Sequence, residues 1–241
     1  MYKTIFFCFY FLFCQQLVAQ MVVMRRNNTI NLSQKRLTEL PEELFDYKDV
    51  KVLKLFGNQL KKLSPRIAEL ENLEELYIGK NELDSLPPEI GQLKKLRILS
   101  VQYNRLTKLP DQIGELQNLE QLWLNQNKLD SLPATIGNLK KLTKIQLNFN
   151  ELKYLPKELG ECSSLRFVYL DRNYLEYLPK EMGNLQNLKE LYLTNAGFLL
   201  ELPESLCQLR YFELLVIDRQ IVVPTCLIVH HTNRLKIELE N

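Results

Sequence analysis

A period of 23 residues runs through most of this chain of 241 residues. The period is visible when each copy begins at the same point, and a ninth, degenerate copy begins at Phe212. The eighth copy carries one extra residue, and the eight segments are 27–49, 50–72, 73–95, 96–118, 119–141, 142–164, 165–187 and 188–211. Such self-similarity is the signature of a repeat architecture, so each position can be compared between copies.

The apolar positions of the repeat alternate over a short stretch. With the first residue of each segment counted as offset zero, apolar residues recur at offsets three and five, as in Leu76 and Ile78 or Leu122 and Leu124. Side chains of a strand alternate between its two faces, so offset four is turned away from the leucines. The repeat therefore predicts a short strand with one apolar face.

Three polar or conformationally special residue types also recur. Offset eight is asparagine in most copies, and a buried amide there can bond the backbone of adjacent coils through both its donor and its acceptor. Leu-Pro then directs the chain out of the strand. Glycine follows where a side chain would crowd the next coil or where a positive φ is needed. The asparagines and glycines are Asn58, Asn81, Asn104, Asn127, Asn150, Asn173, and Gly91, Gly114, Gly137, Gly160, Gly183.

The pattern LxxLxLxxNxLxxLPxxIGxLxx, almost intact in LEELYIGKNELDSLPPEIGQLKK, resembles the leucine-rich repeat family. The variant is similar to the short repeats of bacterial members and of Ras-binding and Scribble-type scaffolds, and the resemblance covers about residues 27–211. It implies an α/β solenoid, a curved horseshoe with a concave parallel β-sheet and a convex side of 3-10 helices, short helices or extended segments. It also implies a protein-binding platform that is not an enzyme.

The two ends of the chain differ from the repeats. Residues 1–19 combine Lys3 with an apolar run too short for the roughly 20 residues that span a bilayer, which predicts a secretory signal peptide. A retained signal anchor and a lipoprotein processed at Cys14 are the alternatives. We therefore expect export to the periplasm, the cell surface or the surroundings, and no stable membrane span after signal removal.

Short segments are predicted to cover the open ends of the core. Residues 20–26 would form an N-terminal cap, and residues 212–241 a degenerate repeat with a C-terminal β cap. In that cap LLVID, IVVP, TCLIVHH and RLKIELEN are interpreted as short strands. The rival interpretation of the C-terminal segment is a strand that pairs with a partner, or a sorting tail.

Charge and cysteine content exclude several classes of function. The formal net charge of +2 argues against a dedicated nucleic-acid binder, which needs a basic face. Three cysteines follow residue 19, of which Cys162 replaces a core leucine, while Cys207 could pair with Cys226 in an exported protein. Neighbouring His230 and His231 would point to opposite sides of a strand, so we predict no metal, no cofactor and no catalytic residue.

The outward-facing offsets carry the candidate binding site. The only tryptophan of the chain lies at offset four, and tyrosines occupy the same offset in other copies, with charged residues beside them. Because aromatic residues and arginine dominate binding hot spots, we predict that this strip binds a protein partner. The predicted site residues are Tyr77, Trp123, Tyr169, Tyr192, Phe167, Phe149, Tyr103, Lys144, Asp171 and Arg172.

Within this strip the four offset-four aromatics, Tyr77, Trp123, Tyr169 and Tyr192, are predicted to be the anchors. Lys144, Asp171 and Arg172 would set specificity. Two alternatives stay open from the sequence: a cell-envelope glycan as the ligand, and a structural or adhesive protein whose aromatics only stabilise the sheet. We expect a monomer.

Overall fold

The computed structural model describes residues 25–198, 201–229 and 235–240. The predicted signal peptide at 1–19, its two alternatives, most of the predicted cap at 20–26, and the histidine pair His230 and His231 lie outside the described residues.

The described chain is a repeating series of strands and 3-10 helices, with one of each per repeat. The strands are β1 (Arg25–Arg26), β2 (Thr29–Asn31), β3 (Val52–Lys54), β4 (Glu75–Tyr77), β5 (Ile98–Ser100), β6 (Gln121–Trp123), β7 (Lys144–Gln146), β8 (Phe167–Tyr169), β9 (Glu190–Tyr192), β10 (Leu214–Asp218) and β11 (Lys236–Glu240). The helices are η1 (Glu42–Asp46), η2 (Pro65–Glu69), η3 (Pro88–Gln92), η4 (Asp111–Glu115), η5 (Ala134–Asn138), η6 (Lys157–Glu161), η7 (Lys180–Asn184), η8 (Glu204–Gln208) and α1 (Thr225–Val229).

All eleven strands form one sheet in sequence order. β1 pairs antiparallel with β2, and every later pair is parallel, with the register repeating from copy to copy: Leu76 lies beside Leu99, and Leu99 beside Leu122. The 3-10 helices line the opposite side of each coil. This is the solenoid with a concave parallel sheet that the sequence predicted.

The core is a column of leucines between the sheet and the 3-10 helices. Leu122 and Leu124 are completely buried, whereas Trp123 between them is only partly buried. Cys162 is likewise fully buried, as expected for a residue in a leucine position. Burial raises the pKa of its thiol to about 12, so Cys162 is a packing residue rather than a nucleophile.

The asparagine at offset eight ties each coil to the one before it. Asn81 Nδ2 donates to the carbonyl oxygens of Leu55 and Ile78 at 3.0 Å each, and Asn81 Oδ1 accepts from the Leu60 amide at 3.1 Å. The same three bonds recur in the following copies, so the predicted ladder is confirmed. Buried backbone groups that the strands and helices leave unpaired are satisfied in this way.

The repeated glycines are explained by crowding and not by a positive φ. A Cβ at Gly91 would lie 2.6 Å from the carbonyl oxygen of Gln112 in the next coil. The left-handed region is occupied instead at offset seven, by a different residue type in almost every copy. Those residues are Gln34, Gly57, Lys80, Tyr103, Gln126, Phe149, Arg172 and Asn195, with φ between 52° and 71°.

The C-terminal segment differs from the sequence prediction in two elements, since IVVP, predicted as a strand, makes only an isolated bridge from Val222 to Glu201. LLVID and KIELE form β10 and β11, but TCLIV, predicted as a strand, is the helix α1. Pro224 stands just before this helix, a favoured position for proline, and Leu227 donates to its carbonyl oxygen at 3.0 Å. A disulfide between Cys226 and Cys207, with Cα atoms 5.9 Å apart, fixes α1 against η8.

Candidate binding face

The predicted anchors share one place in the strand. Tyr77, Trp123, Tyr169 and Tyr192 are the last residues of β4, β6, β8 and β9, and each is partly buried. Alternation along the strand turns them away from the core leucines, onto the open face of the sheet. We call this surface, made of the residues at offsets two, four, six and seven, the concave face.

The aromatic side chains of the concave face form two pairs. Tyr169 and Tyr192 are stacked, with ring centroids 4.6 Å apart and planes at 18°. Tyr77 and Trp123 meet edge to face at 6.4 Å, although Ser100 lies between them in the sheet register. Both geometries are favourable for aromatic pairs.

Two glutamates hold the tyrosine hydroxyls. The Tyr77 hydroxyl donates to Glu75 at 2.9 Å, and the hydroxyls of Tyr192 and Tyr169 donate to Glu190 at 3.2 and 3.4 Å. These bonds fix the rings against the sheet. They also engage both carboxylates without any ion pair to a lysine or arginine among the described residues.

Three cations stand over aromatic rings of the same face. The Lys144 ammonium is 5.1 Å from the Tyr169 ring centroid, and the Arg172 guanidinium is 5.0 Å from that of Phe149. Lys54, which the sequence prediction did not include, is 5.9 Å from the Tyr77 ring. Such contacts orient a cation while leaving it accessible to a ligand charge.

Asp171 is held by the protein on two sides. One carboxylate oxygen accepts the Thr194 amide at 2.9 Å and the other accepts the side-chain amide of Asn148. Burial raises the pKa of Asp171, and the amide bond to Thr194 opposes that shift. The carboxylate thus links two coils, and its predicted role in specificity stays a prediction.

The remaining predicted residues are also on the concave face. Phe167 opens β8 beside Lys144 in the register. Tyr103 and Phe149 are 49% and 42% exposed, and both stand at the left-handed offset seven, three residues after a strand ends. The predicted residues thus fall into two groups. One group comes from the neighbouring coils of β7 to β9 and consists of Lys144, Phe149, Phe167, Tyr169, Asp171, Arg172 and Tyr192. The second group, nearer the N-terminus, contains Tyr77 and Trp123.

A hollow on this face was not predicted from the sequence. It has a volume of about 370 Å³ and is lined by Ser33, Lys54, Phe56, Tyr77, Ser100, Gln102 and Trp123. Its cause is the small residue Ser100, at an offset that carries Tyr77 and Trp123 on the two adjacent strands. The signal in the sequence was therefore a missing side chain, which a search for large aromatics overlooks.

The described part of the chain has neither a metal-binding cluster nor a membrane-spanning helix. Residues 25–198, 201–229 and 235–240 hold no group of three histidine, cysteine or acidic side chains that could bind a metal ion. Over the same ranges, none of the helices has the length and apolar character needed to cross a bilayer.

Alkaline titration is expected to report the fixed hydroxyls. Burial, followed by the bond to Glu75, raises the pKa of Tyr77 to about 12, and burial followed by the charge of Glu190 does the same for Tyr192. A raised folded-state pKa means that this contribution to stability is complete below pH 10.0, the ordinary value, and is lost as the pH rises towards 12. Phenolate absorbance should therefore include a late step.

The Tyr77→Phe and Tyr192→Phe variants identify that step. Each should lose absorbance from the late ionisation near pH 12, and not from the ionisation at the ordinary tyrosine value. Loss of amplitude at the ordinary value would show that these hydroxyls are free in solution.

Comparisons with known proteins agree with this geometry. The family profile described as Leucine-rich repeat region matches residues 87–165, and the profile described as Leucine Rich Repeat matches residues 72–93 and 187–209. A sequence comparison with curated proteins gives no match.

Among solved structures, a leucine-rich repeat protein of Leptospira interrogans is 28% identical, with a TM-score of 0.60 over 88% of this chain and 66% of that one. The leucine-rich repeat ectodomain of the receptor kinase GASSHO1/SCHENGEN3 from Arabidopsis thaliana, in complex with CASPARIAN STRIP INTEGRITY FACTOR 2, is 26% identical, with a TM-score of 0.64 over 87% and 32%. The leucine-rich repeat domain of the type III effector XopL shares the fold at 22% identity, with a TM-score of 0.63 over 88% and 82%.

The chain thus spans 66% of the Leptospira protein and 32% of the plant ectodomain. The repeated sequence pattern, the parallel sheet, the asparagine ladder and these similarities agree on one family. The chain is a leucine-rich repeat protein.

Proposed function

We propose that this leucine-rich repeat protein is exported, has no catalytic activity, and binds a protein partner through its concave face. The observation that carries the proposal is the set of large aromatic side chains on an open sheet surface, Tyr77, Trp123, Tyr169 and Tyr192. Export rests on the signal-like composition of residues 1–19. The plant ectodomain, solved in complex with CASPARIAN STRIP INTEGRITY FACTOR 2, supports a protein ligand by analogy.

Backbone conformation gives a second, independent support. Tyr103 and Phe149 are exposed aromatics at a left-handed position, a conformation that costs a non-glycine residue about 1 kcal/mol. Gly57 and Asn195 occupy the same position in other coils and adopt it more easily. Large exposed rings at such a position add little to the core, which favours a role in binding.

The stacked pair bears on the two alternatives. Tyr169 and Tyr192 present one face each to the other, so those ring faces are not open to a sugar ring. A purely structural role explains this stack, but it does not explain the exposure of Tyr103 and Phe149. A protein ligand, which contacts ring edges and the neighbouring charges as well as ring faces, fits both observations.

Affinity capture with the full chain as bait tests the proposal. The native protein is exposed to the envelope and surroundings of its source organism beside the double variant Trp123→Ala/Tyr169→Ala. Truncation of an anchor commonly costs about 2 kcal/mol or more, so two truncations should abolish retention of the partner. Circular dichroism shows whether the variant keeps its fold.

A matched control removes an aromatic pair elsewhere. The ring centroids of Tyr154 and Tyr177 are 5.3 Å apart. Both residues belong to the segments that follow the strands, outside the concave face. Tyr154→Ala/Tyr177→Ala should retain the partner. Equal retention by all three baits would refute binding through the concave face, and capture of a polysaccharide in place of a protein would favour the glycan alternative.

A further inference from the structure

Cations and carboxylates are used differently on the concave face. Lys54, Lys144 and Arg172 each stand over a ring, and none has a described carboxylate within 4.0 Å. Their charges are therefore not neutralised by the protein itself.

The carboxylates of the same surface already serve as acceptors. Glu75 and Glu190 accept tyrosine hydroxyls, and Asp171 accepts the Thr194 amide. Asp218 accepts the Asn195 amide with both oxygens, at 2.8 and 3.1 Å. Each of these carboxylates already accepts a hydrogen bond within the protein, whereas the three cations contact aromatic rings.

Elsewhere on the described chain, several lysines are paired with glutamates of the next coil. Lys48 bonds Glu69 at 2.8 Å, Lys94 bonds Glu115 at 2.8 Å, and Lys140 bonds Glu161 at 3.1 Å, each about one repeat away. The repeat can therefore supply a carboxylate for a lysine. It does so at offsets 19 and 21, and we call the surface that carries these offsets the flanks. The cations of the concave face lack this arrangement.

The sign of the surface charge changes towards the C-terminal edge. In the register of β10 and β11, Asp218 lies beside Glu240, and Val216 lies beside Glu238. Lys54, Lys144 and Arg172 all lie in the coils of β3 to β8, with Arg172 three residues after β8 ends. Beyond β9 the carboxylates of Asp218, Glu238 and Glu240 outnumber the cations Arg219 and Lys236, so that end of the face is less favourable for an acidic ligand.

Spacing suggests the form of the ligand. Lys54 ends β3 and Lys144 begins β7, and four steps of about 4.8 Å between parallel strands separate them by roughly 19 Å. An extended chain advances about 3.3 Å per residue, so about six residues cover that distance. Between the two cations lie Trp123 and the hollow at Ser100, which offer an apolar contact.

We propose that the concave face from β3 to β8 binds an acidic, extended segment of a partner protein. Its carboxylates pair with Lys54, Lys144 and Arg172, and an apolar side chain between them enters the hollow beside Trp123. This inference rests on the proposed function and specifies the chemistry of the partner at the same site.

Selection from a random 12-residue peptide library against the full chain tests it. The selected peptides should be enriched in aspartate and glutamate with an apolar residue between them. For one synthesised peptide, neutralising the triplet Lys54→Gln/Lys144→Gln/Arg172→Gln should raise the Kd roughly ten-fold at low salt, since three exposed charge pairs contribute about 1.4 kcal/mol together.

The control triplet Lys48→Gln/Lys94→Gln/Lys140→Gln removes the same net charge from the flanks. It should raise the Kd much less than the first triplet does, because each of these lysines is already paired with a glutamate of the protein and makes no charge pair with the ligand. Equal weakening by both triplets would show non-specific attraction and overturn the inference.

The remaining outcomes separate the inference from the proposed function. Neutral or basic peptides whose binding is lost in Trp123→Ala/Tyr169→Ala would overturn the acidic segment and leave concave-face binding intact. Selection of no peptide, or of peptides that the double variant binds equally well, would count against both.

Discussion

Alanine at Gly91 is expected to lower the free energy of unfolding by about 2 kcal/mol, one of the two largest effects we anticipate from a single substitution. The new Cβ would lie 2.6 Å from the carbonyl oxygen of Gln112 and 2.8 Å from its Cβ. Both atoms belong to η4, whose position is fixed by its own coil, so the clash cannot be relieved by rotating a side chain. The coils must separate.

Two opposing effects decide the magnitude. Replacing glycine restricts the unfolded chain and stabilises by about 1 kcal/mol at most. Overpacking a close contact costs about 3 kcal/mol when backbone must move. The second effect is larger, so urea unfolding should show a lower midpoint. Repeat proteins are stabilised by each interface between coils, so weakening this one should let the two parts of the solenoid unfold separately. The urea unfolding transition should therefore also become broader.

Gly79→Ala is the matched control. A Cβ there would meet Gln102 Cγ and Phe56 Cδ2 at 3.1 Å and the Gln102 carbonyl oxygen at 3.2 Å, all longer than the 2.6 Å and 2.8 Å contacts at Gly91. We expect a change within about 1 kcal/mol. Equal stability losses for Gly79→Ala and Gly91→Ala would contradict the assignment of the repeated glycines to close approach of neighbouring coils.

The internal period explains why so much of the fold could be predicted. An offset that is leucine or asparagine in six copies is constrained by the same neighbours in each copy, so its burial follows from the alternation of the strand. The core leucines, the ladder and the outward position of Trp123 were all predicted in this way. Offsets that vary between copies gave no such information.

Features that occur once could not be derived from the period. In the eighth repeat Ala196 replaces the ladder asparagine, and its backbone carbonyl accepts the Leu175 amide at 2.6 Å in place of a side chain. The adjacent Gly197, at φ 126°, gives the chain the bend that this bond requires. TCLIV became α1 for a similar reason, since a preceding proline and a disulfide override its apolar, β-branched composition.

The left-handed offset seven was also missed. Tyrosine, phenylalanine, lysine and arginine there give no local signal of a positive φ, because the turn is imposed by the coil and not by the residue. The same reasoning applies to the candidate site. Fixed offsets build the solenoid and free offsets vary, so the concave face carries whatever is particular to this protein.

Asn127→Ala should cost about 3 kcal/mol of unfolding free energy. The Leu106 amide donates to Asn127 Oδ1 at 3.0 Å and would be left buried without a partner. The carbonyls of Val101 and Leu124 would lose one donor each but keep the neighbouring ladder residue, as in the 3.1 Å bond from Asn150 Nδ2 to Leu124. One orphaned amide and two weakened acceptors set the magnitude.

Asn125→Ala controls for the loss of an asparagine in the same coil. The Asn125 Oδ1 atom has no hydrogen-bond partner among the described residues, so its removal should change stability by about 0.5 kcal/mol or less. Asn127→Asp sharpens the test, because aspartate keeps the acceptor for Leu106 but turns a second oxygen towards two carbonyls. It should be less stable than Asn127→Ala at neutral pH and recover as the pH falls, since burial favours the protonated acid. An aspartate variant as stable as the native protein at neutral pH would mean that the amide donor of Asn127 contributes nothing to the joining of the coils.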